Sequence, residues 1–253
     1  MSLLYVFVAT KTEADAVMRA ARGKARHSGQ GDPRVRVGPN EVLIATTGMG
    51  PRNARARAEE LLARERPEVV VVTGACGSLT KAVVENSVVL YTACLSSDGA
   101  HSVPCSSLLA DAMVKRLHDE SLPCTPAVGV IAGRIATTVQ EKLALGQLGA
   151  GAVDMESYEI VAAATAHGIP SAVIRVVTDD LDRSLPDFNR AVNPNGEVNS
   201  WAMLRIVLGS PILMTKLIRI NRRAMTTLTA ALQAVLSADW SLTQTSRSEA
   251  SLP

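Results

Sequence analysis

The sequence predicts an α/β protein of three layers, α/β/α, around a central mixed, mostly parallel sheet, with a C-terminal helical extension. Three observations predict it. Short apolar runs of strand character alternate with helical stretches along most of the chain. One run, Val69 to Thr73, is continuous and β-branched, as a central strand buried on both faces would be. Loops rich in glycine or in acids follow several of the strands, where an open α/β sheet usually places its site.

The elements follow in order. Leu3 to Ala9 reads as a first strand and Lys11 to Arg22 as a helix. Val35 to Val37 and Val42 to Thr46 read as a hairpin through Gly38, Pro39 and Asn40. Pro51 opens a helix that runs to Ala63, since proline suits the first helical position. Strands are predicted at Val69 to Thr73, Val88 to Ala93, Ala127 to Ile131 and Ala152 to Asp154, and helices at Ser106 to His118 and Gln140 to Gln147. A helix from Glu156 to His167 is ended by Gly168 and Pro170, and Ala172 to Val177 is a further buried strand. Residues 180 to 200 read as a polar loop. Helices follow at about 200–208 and 211–237, and a Ser/Thr-rich tail is expected to fray. One domain over 1–253 is expected, with 198–240 as the helical extension and 241–253 as the tail.

Composition narrows the function. The 253 residues are 47% apolar and 20% charged, with a formal net charge of +2. That describes a globular chain with no basic field for nucleic acid. Aromatic residues are only 3%, too few for base-stacking platforms. Cys76, Cys94, Cys105 and Cys124 form no CxxC pair and have no histidine at zinc-finger spacing, so free thiols in a reducing cytoplasm are expected and no metal site. The apolar start lacks a basic leader and meets Lys11, Glu13 and Asp15 at once, which reads as a strand rather than a signal peptide. No apolar run reaches spanning length. Trp201 to Met225 mixes apolar residues with Arg205, Lys216, Arg219, Arg222 and Arg223. Contact with a membrane or a greasy ligand is one reading of it. Helices packed on the sheet with their basic residues in solvent is the favoured one.

Three loops carry candidate chemistry. Thr47 to Asn53 (TGMGPRN) lacks the third glycine of a dinucleotide fingerprint and any GK[ST], so a tight turn is favoured over a phosphate cradle. Thr73 to Ser78 (TGACGS) would let a ligand approach the backbone. Its Cys76 has no neighbouring base or charge to make it a nucleophile, and reads as a packed thiol. The third place pairs two acidic clusters, Ala152 to Ser157 (AVDMES) and Ile174 to Asp180 (IRVVTDD), joined by one helix. That topology brings Glu156 and Asp179 to one cleft, where one carboxylate can stay ionised on hydroxyls while the other donates a proton. Helix capping by Asp154 or Asp179 is the equal alternative.

With VATKTEAD, TGMGPRNA, VVVVTGACGSL and AVDMES followed by VIRVVTDD in order over residues 4 to 180, the sequence resembles the nucleoside phosphorylase/nucleosidase superfamily. The ME[SA] helix followed by an IR..[ST]D strand end is the specific part. The resemblance implies cleavage of an N-glycosidic bond on a three-layer, often oligomeric domain. It implies that Asp179 is the general acid to a purine N7 and that Glu13 orients the attacking water. Glu156 would bind the ribose hydroxyls, with Met155 packed beneath the sugar. Ala75, Cys76 and Gly77 would line the sugar site, Asp154 would be a further substrate-binding residue, and Arg175 would support Asp179. No cofactor is implied, although phosphate can be a co-substrate. Phosphorolytic relatives carry an arginine where this chain has Val72, and a glycine and an arginine where it has Ala9 to Thr12. Lys11 and Arg52 are then the candidate phosphate ligands, and water gains weight as nucleophile.

The expected partner is a small purine nucleoside, with adenine as the base, and the expected assembly a homo-oligomer. The C-terminal segment is similar to the extension of the hopanoid-biosynthesis-associated members, which implies adenine removal from adenosylhopane. The alternative to an enzyme is a non-catalytic nucleoside-binding module on the same fold. It predicts loss of the acid or the ribose ligand, and both Asp179 and Glu156 are present.

Overall fold

The computed structural model describes residues 2–22, 31–191, 193 and 211–240. Nine strands form one mixed sheet. β1 (Ser2–Val8) lies parallel to β3 (Asn40–Thr46) on one side and to β4 (Val69–Ser78) on the other. β2 (Arg34–Val37) pairs antiparallel with β3 at that edge. β9 (Ser171–Asp179) runs parallel to β4 and antiparallel to β5 (Val88–Leu95). β7 (Cys124–Ile131) runs parallel to β5 and to β8 (Ala152–Asp154), and β8 returns antiparallel to β4. The strands β4, β9, β5, β7 and β8 therefore close into a ring, which the sequence did not foretell. The short edge strand β6 (Ser102–Pro104), which was also not expected, pairs with β5.

Two helical layers cover the sheet. Alternation along the strands sends alternate residues to opposite faces. On one face Leu4, Val6, Val69, Val71, Ile174 and Val176 pack with α1 (Lys11–Ala21), α3 (Ser107–Asp119) and α6 (Pro211–Leu236). On the other, Tyr5, Phe7, Val70, Val72, Val173 and Val177 pack with α2 (Pro51–Arg64) and α5 (Ser157–Ala166). α4 (Val139–Gly146) sits at the end of the ring, under the loop after β9.

Local chemistry fixes the helix starts. In α1 the Thr10 side chain accepts from Glu13 N while Glu13 accepts from Thr10 N, a reciprocal cap. Thr138 and Glu141 repeat it at α4, and Pro51 opens α2 at its first position. The last turns of α6 bury Ala224, Leu228, Ala231, Leu232 and Val235. Asn40 Nδ2 donates to Leu236 O and Ala238 O at 2.9 and 2.6 Å, satisfying carbonyls that a helix end leaves open. The predicted helix at 211–237 is thus present. The expected helix at 200–208 and the tail at 241–253 lie outside the described residues.

Candidate active site

A cavity of about 610 Å³ opens at the carboxyl ends of β1, β8 and β9, against the last residues of β4. Such a volume suits a small ligand. Ala9 and Thr10 border it after β1, Ala75 to Gly77 within β4, Asp154 to Glu156 at β8, and Thr178 and Asp179 at β9. The strand order explains the grouping. β4 is flanked by β1, β9 and β8, so four chain-distant loops meet at one edge.

Glu156 ends the AVDME run and stands at the head of α5. Its Oε1 accepts from Gly50 N at 2.9 Å, and Arg175 Nη2 lies 3.8 Å from Oε2. Burial pushes its carboxyl up to about 7, against the opposing pull of Arg175. Met155 borders the cavity beside it. Asp154 does not reach for a ligand. Its Oδ1 accepts from Glu156 N and Ser157 N at 2.9 and 2.8 Å, and its Oδ2 from Ser157 Oγ at 2.6 Å. The capping alternative is the one its hydrogen bonds realise, while the residue still borders the cavity.

Arg175 also departs from expectation. It is buried, donates to Ser157 Oγ at 2.8 Å and to Thr73 O and Ala75 O, and lies 3.3 Å from Asp154 Oδ2. It therefore supports the Asp154–Glu156 corner and not Asp179. The reason is the pitch of a strand, on which positions 175 and 179 are roughly 13 Å apart. Gly74, with φ +139°, allows this packing; a Cβ there would overlap the Glu13 carboxylate and the Arg175 guanidinium.

Glu13 lies behind the cavity wall rather than in it. Its Oε2 accepts from Ala9 N, Thr10 N and Thr10 Oγ1 at 3.0, 2.9 and 3.0 Å, and its Oε1 from Ala75 N at 2.8 Å. It binds the β1–α1 loop to β4, so the residues it holds face the ligand space. The remaining acceptor position is on Oε1, next to Ala75.

Asp179 is the acid in the wall itself. Its Oδ2 pairs with Lys142, and Thr178 Oγ1 lies 3.4 Å from its Oδ1. Burial raises the carboxyl above the ordinary aspartate range, while Lys142 pulls it back. Gly77 passes close enough that a Cβ there would sit 3.2 Å from Asp179 Oδ2. Burial also pushes the Cys76 thiol far up, which makes it a packed thiol and no nucleophile.

The two candidate phosphate ligands are elsewhere. Lys11 is exposed on the first turn of α1 and borders neither this cavity nor its neighbour. Arg52 borders a neighbouring cavity of about 350 Å³, which shares Met49, Met155 and Arg134 with the first. Sequence reading missed Arg134 and Lys142. The only hint of either was the Thr138–Glu141 capping signature, which places α4 but does not say where Lys142 points. At the apolar end of the cavity, Met214, Leu217 and Ile218 come from the segment for which contact with a greasy ligand was the less favoured reading, while Ile135, Leu185 and Phe188 were missed. Among the described residues there is no group of three or more His, Cys, Asp or Glu placed to hold a metal ion, and no helix is long and apolar enough to cross a membrane.

A mixed sheet between two helical layers, with an acid-lined cleft where its strand ends meet, defines the class of fold. The family model described as the phosphorylase superfamily matches residues 6–208. The chain belongs to that superfamily, the group of nucleoside phosphorylases and nucleosidases. Solved structures share the architecture at low identity. A futalosine hydrolase mutant of Helicobacter pylori matches with TM-score 0.70 at 13% identity, over 93% of this chain and 99% of that one. A mutant of the Helicobacter pylori nucleosidase MTAN with 5′-methylthioadenosine in its active site matches with TM-score 0.72 at 14%, over 93% and 98%. The 5′-methylthioadenosine/S-adenosylhomocysteine nucleosidase of Neisseria meningitidis, in complex with methylthio-immucillin-A, matches with TM-score 0.72 at 15%, over 94% and 99%. No curated protein matches the chain by sequence.

Proposed function

We propose that the chain is a purine nucleosidase that releases adenine from a nucleoside carrying a large apolar 5′ substituent. The observation that carries the reading is the pairing of two unlike carboxylates, Glu156 and Asp179, in the wall of one cavity. Glu156, ionised, binds the ribose hydroxyls and favours positive charge growing on the sugar. Asp179 gives its proton to N7 of the base, so that the C1′–N9 electron pair leaves on a neutral purine. Water held by the remaining acceptor of Glu13 Oε1 adds at C1′ from the side of Ala9, Thr10 and Ala75, and gives a proton to that carboxylate as the C1′–O bond forms. The structural neighbours named for methylthioadenosine and futalosine cleavage support this class of chemistry. The apolar end formed by Leu185, Phe188, Met214 and Leu217 supports an apolar 5′ group. Adenosylhopane is the substrate that the C-terminal resemblance implies.

The reading places the protein in the cytoplasm as a homo-oligomer, with no resident cofactor and no membrane contact. A second reading is phosphorolysis, favoured by Arg52 and Arg134 sharing the cavity next to Met155. The test is release of free base from adenosine, methylthioadenosine and a long-chain 5′-alkyl adenosine, with and without phosphate. Adenine appearing without phosphate, fastest from the long-chain compound, is expected. Release only with phosphate, together with a sugar 1-phosphate, would replace hydrolysis by phosphorolysis. No release from any of the three would return the chain to the nucleoside-binding module.

A further inference from the structure

Among the described residues, Lys142 is the one lysine whose side chain is wholly enclosed, at 0% exposure. Its ammonium has three donors, and the protein takes all three. One goes to Asp179 Oδ2, the others to Asp180 O at 2.7 Å and Arg183 O at 2.9 Å. A buried cation is costly unless paired and hydrogen-bonded, so this one is held as tightly as it holds its partners. The two carbonyls belong to the loop after β9, which goes on to supply Leu185 and Phe188 to the cavity. Arg183 closes the same loop from outside through Glu85 and Asp180.

We propose that Lys142 is a positioning residue for the reaction: its ammonium fixes Asp179 and the loop after β9 as one unit and governs when that carboxyl carries its proton. The inference rests on the nucleosidase reading, which makes Asp179 the acid. Its chemistry is differential. Before proton transfer the ammonium faces a neutral carboxylic acid. After the proton has moved from Asp179 to N7, it faces a carboxylate. The interaction is stronger in the second state, so the cation favours the transfer itself. The titratable groups facing Asp179 are Lys142 from α4, Arg183 from the loop after β9 and the Cys76 thiol from β4. Burial drives the carboxyl up and the two cations oppose it, Lys142 more than Arg183.

The experiment is a pH titration of protein carrying ¹³C-labelled aspartate carboxyls, alongside base-release rates. The resonance absent from Asp179→Asn reports Asp179. In Lys142→Met its midpoint is expected at least about one pH unit higher than in wild type. The falling alkaline limb of kcat/KM should move by the same amount, with kcat on the plateau about 10–100-fold lower. Lys142→Arg, which keeps the charge, should return the limb toward its wild-type position. An unmoved midpoint and limb would overturn the proposal, because a merely structural lysine changes amount and stability but not the titration. Should Lys142→Met fail to fold, the wild type decides: the ¹⁵N resonance of the enclosed ammonium must titrate with the Asp179 midpoint, and independence of the two overturns the inference. A wild type that releases no base from any nucleoside would defeat the nucleosidase reading, while the carboxyl titration would still decide whether Lys142 governs Asp179.

Discussion

The two ends of the cavity are built by different rules. At the strand ends nearly every polar atom is already spoken for. Glu13 takes four donors, Asp154 takes three beside the Arg175 guanidinium, and Lys142 gives all three of its own. At the opposite end the first turns of α6 offer apolar side chains with few fixed partners. Ile212 is 88% exposed and Ile218 49%. Lys216, Arg219, Arg222 and Arg223 have no ion pair among the described residues. A fixed set of charges costs no reorganisation when a transition state forms, and is therefore the end suited to bond breaking. A loosely held apolar wall can accept changes of shape, and is the end suited to choosing a substituent. Changes at the first end should abolish turnover; changes at the second should alter only which nucleoside is used.

The largest expected effect is at Asp179. Asp179→Asn keeps the shape and an oxygen for Lys142 but has no proton to give, so kcat should fall by about 10²–10⁴-fold. KM should change by less than about tenfold, because the residue acts in the transition state. Steady-state release of adenine checks both. Near-normal turnover would mean that the base leaves without protonation at this residue. Glu13→Gln comes next. Its amide oxygen can stay on Ala9 N and Thr10 N, as a capping box with glutamine does, but its NH₂ then meets Ala75 N donor to donor where the acceptor for water was. Turnover should drop by about 10²-fold and stability by about 1–2 kcal/mol. Thermal melting read beside the rate separates the two, since a pure scaffold role would lower the melting temperature and spare kcat in the folded protein.

The comparison also shows why one end was legible in the sequence and the other was not. The glycine blocks and the two acidic clusters are short, local and specific in residue type, so Glu156 and Asp179 could be brought to one cleft from topology alone. Arg175 was misplaced because nearness in sequence was taken for nearness in space; the strand carries it away from Asp179 and under Glu156. Glu13 was read only as orienting the attacking water, and the capping box that also turns its carboxylate onto the backbone went unnoticed. Lys142 left no mark, because a lysine on a short helix ordinarily points to water. The ring closure depends on the three-residue strand β8, which was read in its place, but no local pattern states that it pairs with both β4 and β7. The apolar end is assembled from a loop and from α6, whose approach to the cavity is a matter of packing rather than pattern.

At that apolar end Leu217→Ser should sharpen the contrast. It removes apolar contact at a half-buried position of the cavity wall without touching a hydrogen-bonded group. KM for a long-chain 5′-alkyl adenosine should rise about tenfold, in the range that a few methylenes command. Adenosine itself should be turned over as before. Equal loss for both substrates would mean that α6 holds the catalytic end together instead of reading the substituent.

The smallest effect tests whether the catalytic end carries a cost for being buried. Burial raises the Glu156 carboxyl from 4.5 to about 7. The folded protein therefore holds that proton over a range of pH in which the unfolded chain has released it. The sign follows from linkage: the contribution to stability is fully present below about pH 4.5 and is lost as pH rises through about 7. The loss is on the order of 3 kcal/mol. The same ionisation readies Glu156 for ribose, so kcat/KM should climb over the interval in which stability declines. Glu156→Gln has nothing to titrate there. Denaturant unfolding from pH 4.5 to 8 should show a shallower decline in the variant than in the wild type, and its kcat/KM should be low at every pH without the climb. Parallel stability curves for the two proteins would place the charge of Glu156 in solvent's reach already, and the preformed character argued for this end of the cavity would not hold at the residue that meets the sugar.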